Sequence, residues 1–389
     1  MNIYYWCPFL SSVATVRAVI NSVISIKKYS KNKISPHIIN AVGEWNDIQE
    51  KLYQDNINFI NFSSSESFYN SLPRFGYLKS RFSYILIFFR TIIQLHKFLK
   101  QRDKKDIFVI HLISSLPLIL ILIFNYKCKF ILRISGLPKL NIFRKLLWKL
   151  TKDKLSGIFC PTKDTKNYLI SKNIFNEKNY FVLEDPIINV KSFRNLKNQP
   201  IIDKLKNKKY IVNIGRLTNQ KNQELLIKAF SEFRKNDKDL NLVIIGEGEL
   251  MNKLKILSNK LGVYNYIYFE GYRDNVFNYL SNAEYFILTS KWEDPGFVII
   301  EAAFCRVPIL SSDCPNGPKE ILENGRSGYL FKSNNLEDLK IQHKKIRYEK
   351  KKYLYQKKLN ALKNVKKYTL FYHYNKLTKI LDSIKKNYD

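Results

Sequence analysis

Short apolar runs alternate with longer stretches in which apolar residues recur at helical spacing, and the alternation continues over nearly the whole chain. Runs at residues 2–6, 36–41, 57–62, 107–111, 129–133, 157–160 and 180–183 read as one series of strands, with helical patterns at 11–29 and 77–102 among them. A second series starts at 210–214 and continues at 242–245, 266–269, 285–289, 307–311 and 328–331, with helices at 222–234, 250–261 and 297–305. Strands that are apolar throughout are buried on both faces, and strand–helix alternation is the signature of parallel sheets built from βαβ units.

Between the two series lies a polar stretch, 191–209, with the Lys- and Asn-rich composition of a linker. The pattern predicts an N-terminal Rossmann-like domain over 1–190, a second over 210–345, and a helical tail over 346–389 that packs back on the first domain or lies on a membrane surface. A chain of 389 residues suits two such domains better than one core, and two domains imply a cleft. The apolar stretch 107–124 has about the minimum length of a membrane-crossing helix. His111, Ser114, Ser115 and Pro117 interrupt it, so a buried strand over 107–110 followed by a buried helix over 117–125 is expected instead.

Composition sharpens the picture in three respects. Hydrophobic residues at 45% and charged residues at 25% are globular values and exclude a disordered chain. The 66 Lys and Arg against 33 Asp and Glu give a net charge of +33, which draws nucleic acid, anionic lipid headgroups and phosphorylated small molecules. A bias of the whole chain toward Lys, Asn, Ile and Tyr accounts for that charge as well as selection for binding does. The five cysteines are scattered without a CxxC pair, which argues against a disulfide framework or a cysteine zinc site and fits a reducing cytosol. The opening Met1-Asn2-Ile3-Tyr4-Tyr5-Trp6 reads as a first strand rather than a basic leader.

The strongest chemical signal is Ser290-Lys-Trp-Glu293-Asp-Pro-Gly296-Phe297-Val298-Ile-Ile-Glu301, placed after a strand and opening a helix. A helix N-terminus behind a glycine turn offers unpaired N–H groups and the positive end of a dipole, which suits a diphosphate. Glu301, one turn into that helix, is placed to accept hydrogen bonds from the paired hydroxyls of a ribose. Glu293 on the loop is placed to hold hydroxyls of a sugar.

This pattern resembles the retaining glycosyltransferases of family 4, whose signature is two glutamates with seven residues between them. Ile214-Gly215-Arg216-Leu217 with Lys221-Asn222 looks like the family's phosphate-binding Arg and Lys. Ile245-Gly246-Glu247-Gly248, Phe269-Glu270-Gly271-Tyr272 and Ser311-Ser-Asp313-Cys-Pro-Asn-Gly317-Pro-Lys-Glu320 follow in the family's order, so the resemblance covers about 210–331. It implies a GT-B fold, two Rossmann-like domains whose parallel sheets face a deep cleft.

In the first domain His111 matches the place where the family presents a His toward the donor sugar, and Arg133-Ile-Ser-Gly136 resembles the next strand end. Two departures stand out. Asp294-Pro295 precedes Gly296 where many members have Gly directly after the first Glu, and Ser11-Ser12 replaces a glycine pair.

The implied reaction is transfer of a hexosyl or N-acetylhexosaminyl group from a nucleotide diphosphate sugar, the 313–319 loop leaning toward uridine, to a saccharide hydroxyl with retention. Arg216, Lys221, Glu293 and His111 are the expected catalytic set. Gly215, Gly296, Phe297, Val298 and Glu301 complete the donor site, with no metal or cofactor. The expected acceptor is a saccharide or lipid-linked saccharide for surface polysaccharide or lipopolysaccharide, met at an anionic membrane surface on the cytoplasmic face of an inner membrane. Asp237-Lys-Asp239 has the form of a metal-binding DxD but lies in a polar turn away from the motif, while Asp294 and Glu320 read as capping or surface groups. Inside enzymes the alternative is an inverting GT-B transferase. Outside them the alternatives are an inactive nucleotide-sugar-binding regulator and a nucleic-acid-binding protein. The last needs a basic strip with stacking aromatics, whereas the 25 Tyr and 26 Phe fall in core-like runs.

Overall fold

The structure, a computed structural model, describes residues 1–10, 14–52, 57–62, 66–73 and 77–386. Ser11-Ser12 therefore lie outside the described residues. The chain forms two compact units, Met1–Pro186 with Leu370–Asp389, and Ile187–Thr369.

The first unit is built on a parallel sheet of β1 (Asn2–Trp6), β2 (Ser35–Asn40), β3 (Asn58–Asn61), β4 (Ile107–Ile110), β5 (Lys129–Arg133), β6 (Gly157–Cys160) and β7 (Tyr180–Val182), in the order β3-β2-β1-β4-β5-β6-β7. Its helices are α1 (Ala14–Tyr29), α2 (Asn46–Lys51), α3 (Glu66–Ser71), α4 (Tyr77–Lys100), α5 (Ser115–Ile123), α6 (Ile142–Thr151) and α7 (Lys163–Ser171). β4 and β6 are buried at every position because helices cover both faces of the sheet, which is why they read as continuous apolar runs. One face packs Ile87, Leu95 and Leu99 of α4, Leu118 of α5 and Leu147 of α6 against Phe108 and Phe130. The apolar stretch at 107–124 is thus strand β4 and helix α5 of one unit, with Pro117 in the first helical turn where its missing N–H costs nothing.

The second unit carries a parallel sheet of β8 (Tyr210–Ile214), β9 (Asn241–Ile245), β10 (Ile267–Phe269), β11 (Phe286–Leu288), β12 (Ile309–Ser312) and β13 (Tyr329–Phe331), in the order β10-β9-β8-β11-β12-β13. Around it stand α8 (Val190–Lys197), α9 (Gln223–Asn236), α10 (Met251–Lys260), α11 (Phe277–Ser281), α12 (Phe297–Phe304), α13 (Pro318–Ile321), α14 (Leu336–Tyr348) and α15 (Lys351–Val365). Both units are thus Rossmann-like. The stretch read as a linker contains α8, whose Phe193 packs with Leu205 into the core of this unit. Helices α14 and α15 also bury Leu339, Ile346 and Val365 here.

The last helix, α16 (Leu370–Lys386), belongs to the first unit. Its Leu377, Ile380, Leu381 and Ile384, at helical spacing, fill the core face shared with Ile3, Val19 and Val23 of β1 and α1. A polar chain fixes it: Tyr5 Oη to Ser22 Oγ at 2.8 Å, Ser22 Oγ to His373 Nε2 at 2.8 Å, and His373 Nδ1 to the Glu184 carbonyl at 2.8 Å. A carbonyl only accepts, so Nδ1 bears the proton and Nε2 takes the Ser22 hydroxyl proton.

Burial, reinforced by the Arg133 charge, lowers the His373 pKa to about 4. The neutral ring is the folded form, so the unfolded chain binds the extra proton. Stability contributed by this site is full above the ordinary His pKa of 6.5, falls as the pH drops from there, and is lost by about pH 4. The protection factors of amides 370–386, which compare exchange with the intrinsic rate at each pH, should fall over that window in the native chain and respond less to pH in His373→Gln. Equal pH profiles for the two would refute this assignment.

Candidate functional site

The second sheet reverses its order of growth between β8 and β11, because β9 and β10 extend it on one side and β12 and β13 on the other. Loops leaving the carboxyl ends of two such strands diverge and open a crevice, where open α/β sheets take their ligands. The β8 loop supplies Gly215, Arg216 and Lys221. The β11 loop supplies Ser290, Glu293 and Gly296.

Glu293 is 3% exposed, and a carboxylate at that depth requires compensation. Lys221 Nζ donates to its Oε1 at 2.7 Å and its Oε2 at 2.9 Å, and Ser290 Oγ donates to Oε1 at 2.5 Å. The Lys221 stem lies along Gly215, where an added methyl group would come within 3.2 Å of its Cε. Backbone and side-chain bonds join the same two loops: Lys291 N–H to the Gln220 carbonyl at 2.8 Å, Gln220 Nε2 to the Trp292 carbonyl at 3.0 Å, and Thr289 Oγ1 to the Lys221 carbonyl at 3.0 Å.

Buried Gln223 donates through Nε2 to the Arg216 carbonyl at 3.1 Å and fixes the turn that presents Arg216. The Arg216 side chain is exposed and makes no hydrogen bond or ion pair among the described residues.

Gly296 takes φ +93° as it opens α12, a left-handed conformation that glycine adopts without strain. The N-cap residue, Gly296, makes no side-chain capping bond, and the first N–H groups of the helix, at Phe297 and Val298, lie at the positive end of its dipole. Glu301 lies one turn further and is 3% exposed. The loop after β12 clamps the Glu293 segment from the other side. Glu293 N–H donates to the Pro315 carbonyl at 3.1 Å, and Asn316 Nδ2 donates to the Glu293 carbonyl and to Asp294 Oδ1, both at 3.1 Å. Gly317 sits so close that a Cβ there would fall 1.9 Å from the Pro295 carbonyl oxygen, so no other residue fits without moving the loop.

The expected donor-site residues of the second unit therefore gather at one sheet end, with Lys221 and Glu293 in direct contact. Sequence reading missed Ser290, Gln223 and Asn316, which are uncharged. Only Ser290 left a trace, as a hydroxyl three residues before a carboxylate in a turn. Glu270, buried directly after β10, pairs with Lys204 at 2.7 Å and Arg273 at 2.9 Å. Asp237 of the DxD-like turn is taken by Lys209 at 2.8 Å and Arg347 at 2.9 Å.

His111 occupies the corresponding switch point of the first unit. It follows β4, and its N–H donates to the Trp6 carbonyl at the end of neighbouring β1 at 2.8 Å. Its ring lines a cavity of about 20 Å³ with Tyr5, Ser22, Arg133, Asp185 and His373. Arg133 pairs with Asp185, and among the described residues neither ring nitrogen of His111 has a hydrogen-bond partner. Burial, with the Arg133 charge beside it, holds the imidazole neutral by lowering its pKa well below the ordinary value.

Over residues 195–369 the chain matches the family described as Glycosyl transferases group 1. It is 30% identical over 254 residues to an uncharacterized glycosyltransferase of Methanocaldococcus jannaschii, covering 60% of this chain and 62% of that one. It is 28% identical over 195 residues to the N-acetylgalactosamine-N,N'-diacetylbacillosaminyl-diphospho-undecaprenol 4-alpha-N-acetylgalactosaminyltransferase of Campylobacter jejuni, covering 50% and 52%. The matched region thus spans between half and two thirds of these relatives. Among solved structures, Anabaena HepE in complex with UDP superposes with a TM-score of 0.73 at 15% identity, over 98% of this chain and 100% of that one. The fold is GT-B.

Lys221→Met leaves a buried carboxylate without its cation and should destabilise the second unit by about 3 kcal/mol. Lys221→Met/Glu293→Gln should recover most of that loss, since the amide keeps the shape and carries no charge. Denaturant unfolding with hydrogen exchange of 290–304 measures both. A single variant as stable as the parent would show that the pair does not hold the loop.

Proposed function

We propose that this chain is a retaining glycosyltransferase that moves a hexosyl or N-acetylhexosaminyl group from a nucleotide diphosphate sugar to a hydroxyl of a saccharide acceptor. One observation supports the reading above others. An exposed Arg216, the Lys221–Glu293 pair and the glycine-led N-terminus of α12 with Glu301 share one sheet end, inside the stretch that matches the group 1 family.

In this reading the diphosphate meets Arg216, Lys221 and the N–H groups of Phe297 and Val298. As the bond from the anomeric carbon to the β-phosphate oxygen breaks, its electron pair passes to the diphosphate. The two cations and the helix dipole stabilise that charge, a role for which no metal is required. The acceptor oxygen bonds to the anomeric carbon on the face the diphosphate leaves, and its proton passes to the departing phosphate oxygen. Glu293 orients the sugar hydroxyls rather than attacking, and Glu301 receives the ribose hydroxyls. His111, in the first unit, enters this reading as a neutral imidazole.

A uridine donor is supported by the UDP held by the Anabaena structure. A lipid-linked saccharide acceptor is supported by the diphospho-undecaprenol in the name of the Campylobacter relative; its place at the cytoplasmic face of a membrane, in surface-polysaccharide assembly, is part of the proposal.

Arg216→Ala and Glu301→Ala should each lower kcat/KM for donor turnover by about a hundredfold or more, the scale of a lost transition-state contact, with the fold retained by circular dichroism. Near-parental turnover in both would end this assignment. The anomeric proton coupling of the product decides retention against inversion. Nucleotide sugars that bind will raise the apparent Tm, and those that do not will leave it unchanged.

A further inference from the structure

The side of the first unit that bears α4, α5 and α6 departs from the usual surface of a soluble α/β domain. All three helices bury one face in the same core cluster, so their opposite faces form one outer layer, with α5 packed between its neighbours. Along α4 the inward stripe is Ser83, Ile87, Thr91, Leu95 and Leu99, at four-residue spacing. Its outward stripe is also apolar: Phe82, Ile85, Phe89 and Ile93, with Phe89 70% exposed. On α6 the outward stripe is Ile142, Phe143, Leu146 and Leu150, with Ile142 89% exposed. Leu122, Ile123 and Phe124 add exposed apolar surface at the end of α5, where the Phe124 ring packs 4.3 Å from His96 of α4. A helix apolar on both faces is ordinarily buried on both, and soluble monomers rarely expose apolar patches of this extent.

Charge selects what covers this layer. None of the three helices contains an Asp or Glu, and between residues 67 and 152 the chain holds only Asp103 and Asp106, both in the turn before β4. Exposed Arg81, Arg90 and Lys97 flank the α4 stripe, and exposed Lys145 and Lys149 alternate with the apolar residues of α6. Large apolar side chains interleaved with basic ones and no carboxylate match an anionic bilayer surface, which takes the apolar groups among its acyl chains and the cations at its headgroups. An exposed surface meant for a second copy of the same basic face would set like charges against each other.

We infer that the α4–α5–α6 layer is the face by which this protein docks on an anionic membrane. Arg81–Lys100 of α4 has the length and hydropathy of a membrane span. Its inward stripe is packed on the sheet, however, and Arg90 stands in its middle, so the helix lies in the interface plane. The inference deepens the membrane part of the proposed function but does not depend on the donor chemistry, because vesicle binding and donor turnover are separate measurements.

The test is co-sedimentation of the full chain with vesicles of phosphatidylcholine alone or with about 30% phosphatidylglycerol, at low salt and at about 1 M salt, where charge attraction reaches only about 3 Å. The parent should bind the anionic vesicles, and salt or neutral lipid should weaken binding at least about tenfold. Phe89→Ser/Ile93→Ser and Phe143→Ser/Leu146→Ser should each lose about tenfold or more in affinity. Ile256→Ser/Ile341→Ser, which removes exposed apolar residues of the second unit, should bind as the parent does. The first two variants replace outward-facing residues, so turnover of a soluble acceptor should stay at the parental level and report that the fold is intact. Parental affinity in the α4 and α6 variants, or no vesicle binding by the parent, overturns the proposal. Binding by the parent that salt does not weaken and only detergent reverses also overturns it, since that is the behaviour of a spanning helix.

Discussion

A carboxylate buried at the end of a sheet, with a lysine ammonium laid across both of its oxygens, is the constraint on which the second unit's crevice is arranged. Removing Glu293 and Lys221 from water costs about as much as their attraction returns, so the pair is not there for stability. Its effect is positional. It ties the loop after β8 to the loop after β11, which are 72 residues apart in sequence. With those loops joined, Gln223 can hold the turn at Arg216, and Asn316 and Gly317 can press the Glu293 segment against the start of α12. A diphosphate entering in the proposed way would compete with Glu293 for the Lys221 ammonium and leave its oxygens able to accept from hydroxyl groups. The same ion pair that holds the loops without donor thus becomes, in that reading, two separate contacts with it.

Topology explains why the pair sits where it does. Both sheets reverse between a first strand and a returning one, β1 and β4 in the first unit, β8 and β11 in the second. Each reversal puts candidate chemistry at the carboxyl ends of those strands. In the second unit the result is charged and held by ion pairing. In the first it is a small cavity where two imidazoles, His111 and His373, are kept neutral by burial beside the Arg133 cation. Since His373 comes from α16, the final helix completes the surroundings of a residue that lies more than 250 positions earlier in the chain, roughly the span of a whole domain.

The strands were legible because burial on both faces leaves an uninterrupted apolar run, and the helices were legible from their period. What was not legible depended on partners distant in sequence. Phe193 and Leu205 stand isolated among Lys and Asn, so 191–209 reads as a linker, yet Phe193 meets the rings of Phe277 at 5.2 Å and Phe304 at 4.7 Å. The tail shows helical period throughout, but period does not say which core a helix enters, and its two helices, α15 and α16, divide between the units. At the site, Arg216, Lys221, Glu293 and Glu301 could be named singly from motif and spacing. That Lys221 and Glu293 touch could not, because neither a period nor a motif encodes a contact between two loops. Ser290 and Asn316 acquire meaning only once that contact exists.

The charge of the chain shows the same distinction between composition and placement. A net +33 spread through the sequence says little, since in the second unit many cations are answered locally, as where Lys209 and Arg347 share Asp237 and Arg347 also reaches Glu284. On α4 and α6 the cations are set instead among large apolar side chains that face outward, with no carboxylate on either helix. Helical period marks 77–102 as a helix without saying which side is buried, although an apolar stripe normally marks the buried face. The helix has two such stripes, and only the sheet beneath it reveals which one is left for a partner. A general bias toward lysine explains cations everywhere. It does not explain why phenylalanine, isoleucine and leucine occupy outward positions at helical spacing on two helices of one layer, and that coincidence is the part of the basic character that needs a physical cause.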